Sequence, residues 1–469
     1  MKHPAMAAAT IFGLLALGGC GRNEPVPVEL GVPGQIPASA QRAGDPALGY
    51  EILVNRGYVS CGVPRAAFER AAAEAPATRQ FELPGRDSRN AGLPYQLNAA
   101  TNADGVELVV SNCLVCHGGE FNGELVVGLG DAFADFTSNP MEGIERLGLL
   151  VEDGAEAAAW RRWADRIGAI APYMVTDTVG VNPAPNLTMA LMAYRDPDTL
   201  AWHGEPRLEP PPYEPLPTAV PPWWRMQKKH AMFYHGGGRG DHVHYMMLKS
   251  LVCTDEVEEA REIDGWFTHV RAFISSLEPP AWPFALDAAL AAEGRVVFER
   301  QCAACHGTYG ENETYPNLVI GLEEVGTDPA YALQAVEAER FIRWFNGSFY
   351  GQGAQAMPAP GYVAPPLDGV WATAPYLHND SVPSLAALLD SDRRPSYWRH
   401  RTGAREYDPA ALGWAYEVLE HGKEGAADPA AARYIYDTTR RGYGNGGHTF
   451  GDALNERERA AVLEYLKTL

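Results

Sequence analysis

The sequence predicts a mainly α fold of two helical domains with long irregular loops. Three observations support this prediction. Apolar residues recur at helical spacing in several segments, the motif C-x-x-C-H occurs twice, and prolines are concentrated between these elements. A chain of 469 residues is also long enough to bury two cores.

The clearest helical signals lie in the second half of the chain. Residues 287–305 place apolar and small side chains on one face, and Asp287 precedes that face as a predicted N-cap. Residues 455–469 carry an apolar stripe at helical spacing and are predicted as the closing helix. Gly294 lies on the first of these faces, where the missing side chain allows another helix to cross closely.

The first half is expected to repeat this plan. Gly105, Val109 and Cys113 stand at the same four-residue intervals as the residues before the second motif. A helix is therefore predicted before the first motif. Residues 257–277 carry an apolar stripe at helical spacing and are predicted as its closing helix.

Both C-x-x-C-H motifs have the chemistry of covalent haem attachment. Two cysteines on neighbouring turns each reach one vinyl group, and the following histidine meets the iron from the same side. For 7 cysteines and 13 histidines in this length, about 0.003 such motifs are expected by chance. We predict two covalently bound c-type haems. Their protein ligands are Cys113, Cys116 and His117 at the first site and Cys302, Cys305 and His306 at the second.

The N-terminal residues predict export and a lipid anchor. Residues 7–17 are apolar but too short to span a membrane, and the run LGGC that ends at Cys20 is typical of a lipobox. The expected organisation is a signal peptide at 1–19, a tether at 20–48 whose first residue is lipidated, an N-terminal haem domain at 49–280 and a C-terminal cytochrome c-like haem domain at 281–469. The predicted location is the bacterial cell envelope, on the periplasmic side or at the outer membrane.

The net charge leads to an expectation about partners, and the two remaining cysteines lead to one about a disulfide. A net charge of −21 argues against nucleic acid and is compatible with a basic redox partner or with simple solubility. The expected partner is a redox partner protein or a small oxidant. The lipid anchor is the only expected membrane contact. Cys61 and Cys253 remain outside the motifs, and either a disulfide or two free thiols is compatible with an exported chain.

The residue on the other face of each iron decides between a closed electron-transfer haem and an open, reactive one. For the second haem, His448 follows a glycine-rich run, and Met357 is the rival ligand. For the first haem, His242 and His244 follow the predicted N-cap Asp241. They would point about 200° apart on a helix, so at most one of them faces the iron.

Two segments resemble a known family. Residues 362–385 read YVAPPLDGVWATAPYLHNDSVPSL, and residues 444–448 read GNGGH. They resemble the di-haem c-type cytochrome oxidoreductases that include the bacterial rubber oxygenases, and more distantly the di-haem cytochrome c peroxidases. The resemblance implies that His448 ligates the C-terminal haem and that O₂ binds at the N-terminal haem, at His117. Asp380 stands where that family usually has glycine.

Two functions are compatible with these expectations. The first is a haem-dependent oxidoreductase, oxygenase-like or peroxidase-like, that activates O₂ or peroxide at the first haem while the second relays electrons. In that case His242 and His244 are the candidates for the distal side, and Trp371 and Tyr376 are candidate relay residues. The alternative is a non-catalytic electron-transfer cytochrome with both irons six-coordinate.

Overall fold

The computed structural model describes residues 28–74, 81–401 and 405–469. The predicted signal peptide at 1–19 and the predicted lipidation site Cys20 lie outside these ranges. Helices account for 39% and strands for 13%, and the strands form several small sheets. The expectation of a mainly α fold is therefore confirmed only in part.

Within the described ranges, the α-helices are α1 (Pro46–Asn55), α2 (Arg65–Glu74), α3 (Leu114–His117), α4 (Met141–Gly148), α5 (Ala155–Ile170), α6 (Ala184–Ala193), α7 (Val243–Met246), α8 (Val257–Ser275), α9 (Ala288–Gln301), α10 (Ala303–His306), α11 (Leu322–Val325), α12 (Ala330–Glu337), α13 (Glu339–Gly347), α14 (Leu385–Leu388), α15 (Pro429–Ala432) and α16 (Glu456–Leu466). The strands are β1 (Gly34–Gln35), β2 (Val63–Pro64), β3 (Leu97–Thr101), β4 (Glu107–Ser111), β5 (Gly118–Phe121), β6 (Glu124–Val127), β7 (Gly238–Gly240), β8 (Leu318–Gly321), β9 (Ala354–Ala356), β10 (Gly361–Val363), β11 (Tyr397–His400), β12 (Tyr407–Asp408), β13 (Gly413–Trp414), β14 (Tyr416–Val418) and β15 (Tyr436–Asp437).

The helix pair predicted for the second half is confirmed. Asp287 caps α9 by accepting the backbone N–H groups of its first turn. Asn455 and Glu458 form a capping box at the start of α16. A Cβ atom added to Gly294 would lie 1.8 Å from the carbonyl oxygen of Ala461, so α9 and α16 cross in backbone contact at this glycine.

The helix predicted before the first motif is wrong. β3 and β4 form an antiparallel hairpin there, and Gly105 lies in its turn with φ of 77°. Leu108 and Val110 belong to one core cluster, whereas Val109 belongs to another. A strand that is buried on both faces carries a continuous apolar run, which explains why the four-residue spacing of its residues was misleading.

The closing helix of the first half is α8, and its partner is α1 rather than a helix next to the motif. Asp45 caps α1. A Cβ atom added to Gly49 would lie 2.0 Å from the carbonyl oxygen of His269 on α8. The first half therefore repeats the glycine-mediated crossing of α9 and α16, but its first helix ends far before Cys113.

The described part of the segment interpreted as a tether is packed against the body. β1 pairs with β8, and Ile36 is buried beside Val319 and Val363. Arg42 forms ion pairs with Asp241 and Asp264. From residue 28 onward this segment therefore contacts both halves of the chain.

The two halves of the chain are interlocked. β7 from the first half pairs with β9 from the second. Three aromatic side chains of α13 belong to the hydrophobic cluster that also contains the Cys61–Cys253 disulfide; they are Phe341, Trp344 and Phe345. The Cα atoms of that disulfide are 5.5 Å apart, so the open choice for these cysteines is resolved in favour of a bridge. Among the described residues, the helices include none with the length and apolar character needed to cross a membrane.

Candidate haem-binding sites

Both motifs adopt the same local structure. A single helical turn follows the first cysteine, as α3 at the first motif and α10 at the second. The histidine N–H closes that turn by donating to the carbonyl of the first cysteine, from His117 to Cys113 at 3.1 Å and from His306 to Cys302 at 3.0 Å. This turn holds the two thiols of each motif on neighbouring positions of one short helix, as two thioether bonds require.

A cavity of about 270 Å³ lies beside the second motif. Its walls are mainly apolar, and they include both thiols of the motif and three histidines, which are His306, His378 and His448. The residues that matter here are Phe298, Cys302, Cys305, His306, Leu389 and His448. An apolar slot with cysteines at one edge and imidazoles in its walls has the chemical character that a covalently attached macrocycle needs.

The rings of His306 and His448 both line that cavity, with their centres 6.1 Å apart. An imidazole nitrogen binds a metal ion at about 2.0 Å, so two rings that bind one ion from opposite sides have centres roughly 6 Å apart. Nδ1 of His306 donates to the carbonyl of Pro365 at 2.8 Å, which leaves its Nε2 for the metal. The residues therefore fit a haem iron with two histidine ligands.

The backbone holds His448 in an uncommon conformation. Its φ is 46°, and its N–H donates to the carbonyl of Val325 at 2.6 Å. Burial, together with the nearby His306 and Arg394, lowers the pKa of His448 to about 4, and an interaction with its own backbone opposes this shift. The imidazole is therefore neutral at ordinary pH, which is the form that binds metal.

The other histidines of the second half, and Met357, have surroundings different from those of His448. His378 also lines the cavity, but its ring is stacked on Tyr362 with centres 3.9 Å apart. His400 lines a separate, smaller cavity. Within the described part of the chain, Met357 and His421 are not among the residues that line the larger cavity.

At the first motif, the ring of His117 stacks on Trp223 with centres 4.8 Å apart. Burial lowers the pKa of His117 to about 4, although the backbone of Pro221 lies close enough to raise it slightly. Cys113 packs into an apolar cluster with Met226 and Met246. A neutral imidazole, two thiols and an apolar surrounding fit a second covalent haem.

His242 and His244 face different surroundings, as their spacing predicted. Nδ1 of His244 donates to the carbonyl of Tyr350 at 2.8 Å, and its Nε2 lies 3.2 Å from a carboxylate oxygen of Asp264. Both ring nitrogens of His242 are buried without a partner among the described residues. Burial, with the nearby charges of Lys229 and Arg271, lowers the pKa of His242 to about 4. Only His242 is free to contact a ligand.

One wall separates the surroundings of the two motifs. Trp223 stacks on His117, while the adjacent Pro222 and Arg225 line the large cavity. Asp131 also lines that cavity, and its N–H donates to the carbonyl of Cys116 at 3.0 Å. These wall residues are not predictable from local sequence, apart from the run WWR directly after the proline-rich stretch, which contains Trp223 and Arg225.

The two relay candidates also lie near this wall. The ring of Trp371 contacts Phe121, at the end of the strand that follows His117, with centres 5.2 Å apart. Tyr376 lines the large cavity, and its hydroxyl donates to the carbonyl of Leu412 at 3.0 Å. Both are buried.

Comparison with known proteins adds independent support for the second site. Residues 361–399 match the family described as RoxA-like, cytochrome c-like. Residues 289–377 match the family of cytochrome c oxidase, cbb3-type, subunit III. The chain is also similar to two uncharacterized proteins of Sinorhizobium fredii. It is 32% identical to y4iJ across 48% of this chain and 47% of that protein, and 29% identical to y4iM across 58% and 68%.

The chain thus spans about half the length of y4iJ and about two thirds of y4iM. Both family matches include the segment 361–377, and the second also includes Cys302, Cys305 and His306. Cytochrome c-like domains bind haem covalently and serve electron transfer or oxidoreduction. Residues 289–399 of this chain are therefore similar to c-type cytochrome domains, the RoxA-like ones among them.

Proposed function

We propose that the protein is an envelope-anchored di-haem c-type cytochrome that acts as an oxidoreductase. It activates O₂ or peroxide at the site of His117 and passes electrons through the site of His306 and His448. Bound haem supplies an iron at each site that exchanges single electrons and, where its sixth position is open, binds a small oxidant.

The observation that carries the proposal is the pair of imidazoles that line the large cavity. A separation of 6.1 Å between the ring centres of His306 and His448 is what one shared iron requires. A site closed by two histidines cannot bind an oxidant and is suited to electron transfer. This supports a relay role for the second site, and we infer that the chemistry takes place at the first.

The common wall supports electron passage between the sites. Trp223 and Arg225 are two residues apart, and they face the first motif and the large cavity respectively. Trp371 and Tyr376 lie close by as aromatic intermediates. Haems bound at both sites would have these residues between them, which supports electron passage along the wall.

At the first site, His242 is the candidate for the distal side. Its unpartnered ring nitrogens, neutral at ordinary pH, are able to accept or donate one hydrogen bond to a bound oxidant. Helix α7 begins next to His242 and carries Met246, which belongs to the cluster of Cys113. His242 is thus about one helical turn from a residue that contacts the first motif.

The alternative function is a non-catalytic carrier with both irons six-coordinate. One observation favours it: Met226 and Met246 pack in the same cluster as Cys113, and a thioether is a common sixth ligand of c-type haems. The alternative predicts that neither site accepts an external ligand.

The purified full-length protein tests these functions by mass spectrometry, optical spectra and EPR. We expect two covalent haems per chain, one low-spin signal from two histidines, and rapid cyanide binding at one haem only. The variant His448→Ala should lose the low-spin signal, whereas the matched control His421→Ala, at an exposed histidine, should keep it.

Other outcomes decide against parts of the proposal. A mass that corresponds to one haem would show that the chain binds one haem and not two. If neither of two haems binds cyanide, the non-catalytic electron carrier would be the supported function. An unchanged low-spin signal in His448→Ala would show that another residue closes the second site.

A further inference from the structure

Asp380 is a buried carboxyl group without a compensating donor. It is 9% exposed and has a φ of 56°. Its carboxyl group forms no hydrogen bond or ion pair with any other residue in the described ranges. Burial raises the pKa of Asp380 well above its ordinary value. An isolated buried carboxyl is costly when ionised, so its presence calls for an explanation.

Asp380 lies between two cavities. It lines the large cavity of about 270 Å³ that contains His306 and His448. It also lines a small cavity of about 10 Å³, a volume that accommodates roughly one water molecule. Gly180 and Pro375 line both cavities as well but carry no titratable side chain. Asp380 is therefore the titratable group that the two spaces share among the described residues.

The small cavity leads toward the surface. His400 lines it, and the buried Nδ1 of that ring has no partner among the described residues. Tyr434 also lines it and is 37% exposed. A water in this cavity would have His400, Asp380 and the partly exposed Tyr434 as neighbours, so it would lie between the carboxyl of Asp380 and a residue at the surface.

Other titratable and charged groups line the same two cavities. In the large cavity they are Asp131, Arg225, Tyr234, Cys302, Cys305, His306, Tyr362, Tyr376, His378 and His448. In the small cavity they are His400, Tyr434 and Tyr436.

Burial lowers the pKa of His378 to about 3 and that of His400 to about 4, so both rings are neutral. Burial raises the pKa of Tyr234 and Tyr436. Burial also raises the pKa of Asp131, but this carboxylate accepts the backbone N–H of Phe133 at 3.0 Å, which lowers it. Arg225 keeps its positive charge across this range, which leaves Asp380 as the uncompensated group.

We propose that Asp380 takes up one proton from the small cavity when the site of His306 and His448 gains one electron, and returns it when the electron leaves. The electron comes from an external one-electron donor, and the proton comes from water at His400. The only bond formed is the O–H bond of the carboxyl group. This inference rests on the proposed haem at the second site.

The physical reason is charge balance across an apolar wall. An added electron makes the adjacent cavity more negative, which favours the neutral form of a nearby carboxyl. Proton uptake at Asp380 cancels that added charge. The affinity for the electron and the affinity for the proton are then linked, so each rises with the other.

The test is the midpoint potential of the low-spin haem in the purified holoprotein, measured by spectroelectrochemistry between pH 5 and 9. The potential should fall as pH rises, by up to about 59 mV per pH unit, the one-electron equivalent of a tenfold change. Asp380→Asn and Asp380→Gly should both lose this slope. Asparagine and glycine tolerate the left-handed backbone at this position, so neither change strains the chain.

Asp392→Asn is the matched control, since Asp392 is exposed and lines neither cavity. It should keep the slope. The route is tested with His400→Phe, which should keep the slope but slow proton uptake after rapid reduction by about tenfold or more.

Three results overturn the inference. They are a wild-type potential that does not depend on pH, a slope that persists in both Asp380 variants, and, for the route alone, an unchanged uptake rate in His400→Phe. A wild-type protein without any low-spin haem would instead contradict the proposed function, so the two failures are distinguishable.

Discussion

His242 and His244 illustrate how neighbouring residues acquire different chemistry. His244 is bound on both ring nitrogens, to Tyr350 and to Asp264. His242 is buried with neither nitrogen bound within the described ranges. The first arrangement stabilises the fold, and the second leaves a side chain available for a ligand.

The contact of His244 with Asp264 leads to a prediction about acid stability. Burial raises the pKa of Asp264, but hydrogen bonds from His244 and Arg42 outweigh it and lower the pKa to about 2. A carboxyl whose pKa is lowered in the folded state stabilises the protein above its unfolded pKa and loses this effect as pH falls. Asp264→Asn should therefore lower the free energy of unfolding by about 2 kcal/mol at pH 7.

The difference between wild type and Asp264→Asn should shrink as pH falls from about 4 to about 2. Urea unfolding at a series of pH values measures it. Parallel stability curves for the two proteins over this range would contradict the assignment.

At the scale of single residues, the sequence predicts those features that depend only on neighbouring positions in the chain. The C-x-x-C-H motifs need only five consecutive residues, and His448 was marked by the glycines before it. The separate environments of His242 and His244 were not predictable in detail. Tyr350 lies 106 residues beyond His244, and a pattern of neighbouring residues cannot predict a partner at that separation.

At the scale of elements, two helix pairs are built around glycines. α9 crosses α16 at Gly294, and α1 crosses α8 at Gly49. In each pair an added methyl group would collide with a backbone carbonyl of the partner helix. Backbone cannot rotate away as a side chain does, so the helices themselves must separate.

Gly294→Ala and Gly49→Ala should therefore each lower the free energy of unfolding by about 1–3 kcal/mol. Gly265→Ala is a matched control in α8, where an added Cβ atom meets nothing within 4 Å. It should raise stability by about 0.5–1 kcal/mol through helix propensity. Thermal or urea unfolding measures all three. Equal effects at the three positions would contradict the crossings.

The elements that the sequence predicted share local signals. α9 and α16 carry N-caps, and α16 a capping box, directly before their apolar stripes. The hairpin of β3 and β4 was missed because both faces of β4 are buried, which hides the alternation of a strand. α1 also has an N-cap, Asp45, but that residue and the start of the helix lie inside the segment predicted as a tether, so the helix was missed.

At the scale of the whole molecule, the Cys61–Cys253 disulfide connects residues 192 positions apart. Disulfides of this kind persist in oxidising compartments outside the cytoplasm. Covalent haem and a disulfide in one chain agree with the envelope location proposed from the N-terminal sequence. The lipid anchor itself remains a prediction about Cys20.

Cys20→Ala should release the protein from the membrane fraction into the soluble periplasmic fraction. Its haem content should not change, because Cys20 lies far along the chain from both motifs. Cell fractionation with detection of covalent haem measures this. Cys20→Ser, which also lacks the thiol that is acylated, should behave in the same way. A variant that stays with the membrane would contradict the lipobox interpretation.

Because the two halves of the chain share one core, their packing affects the order in which the chain folds. A chain is synthesised from its N-terminus, and domains that hold all their own core residues are able to fold as soon as they emerge. Here Phe341, Trp344 and Phe345 complete the core around Cys61 and Cys253. The first half must wait for residues that are synthesised more than 200 positions after Cys113. We expect both thiols and the histidine of the first motif to stay accessible for haem attachment throughout that delay.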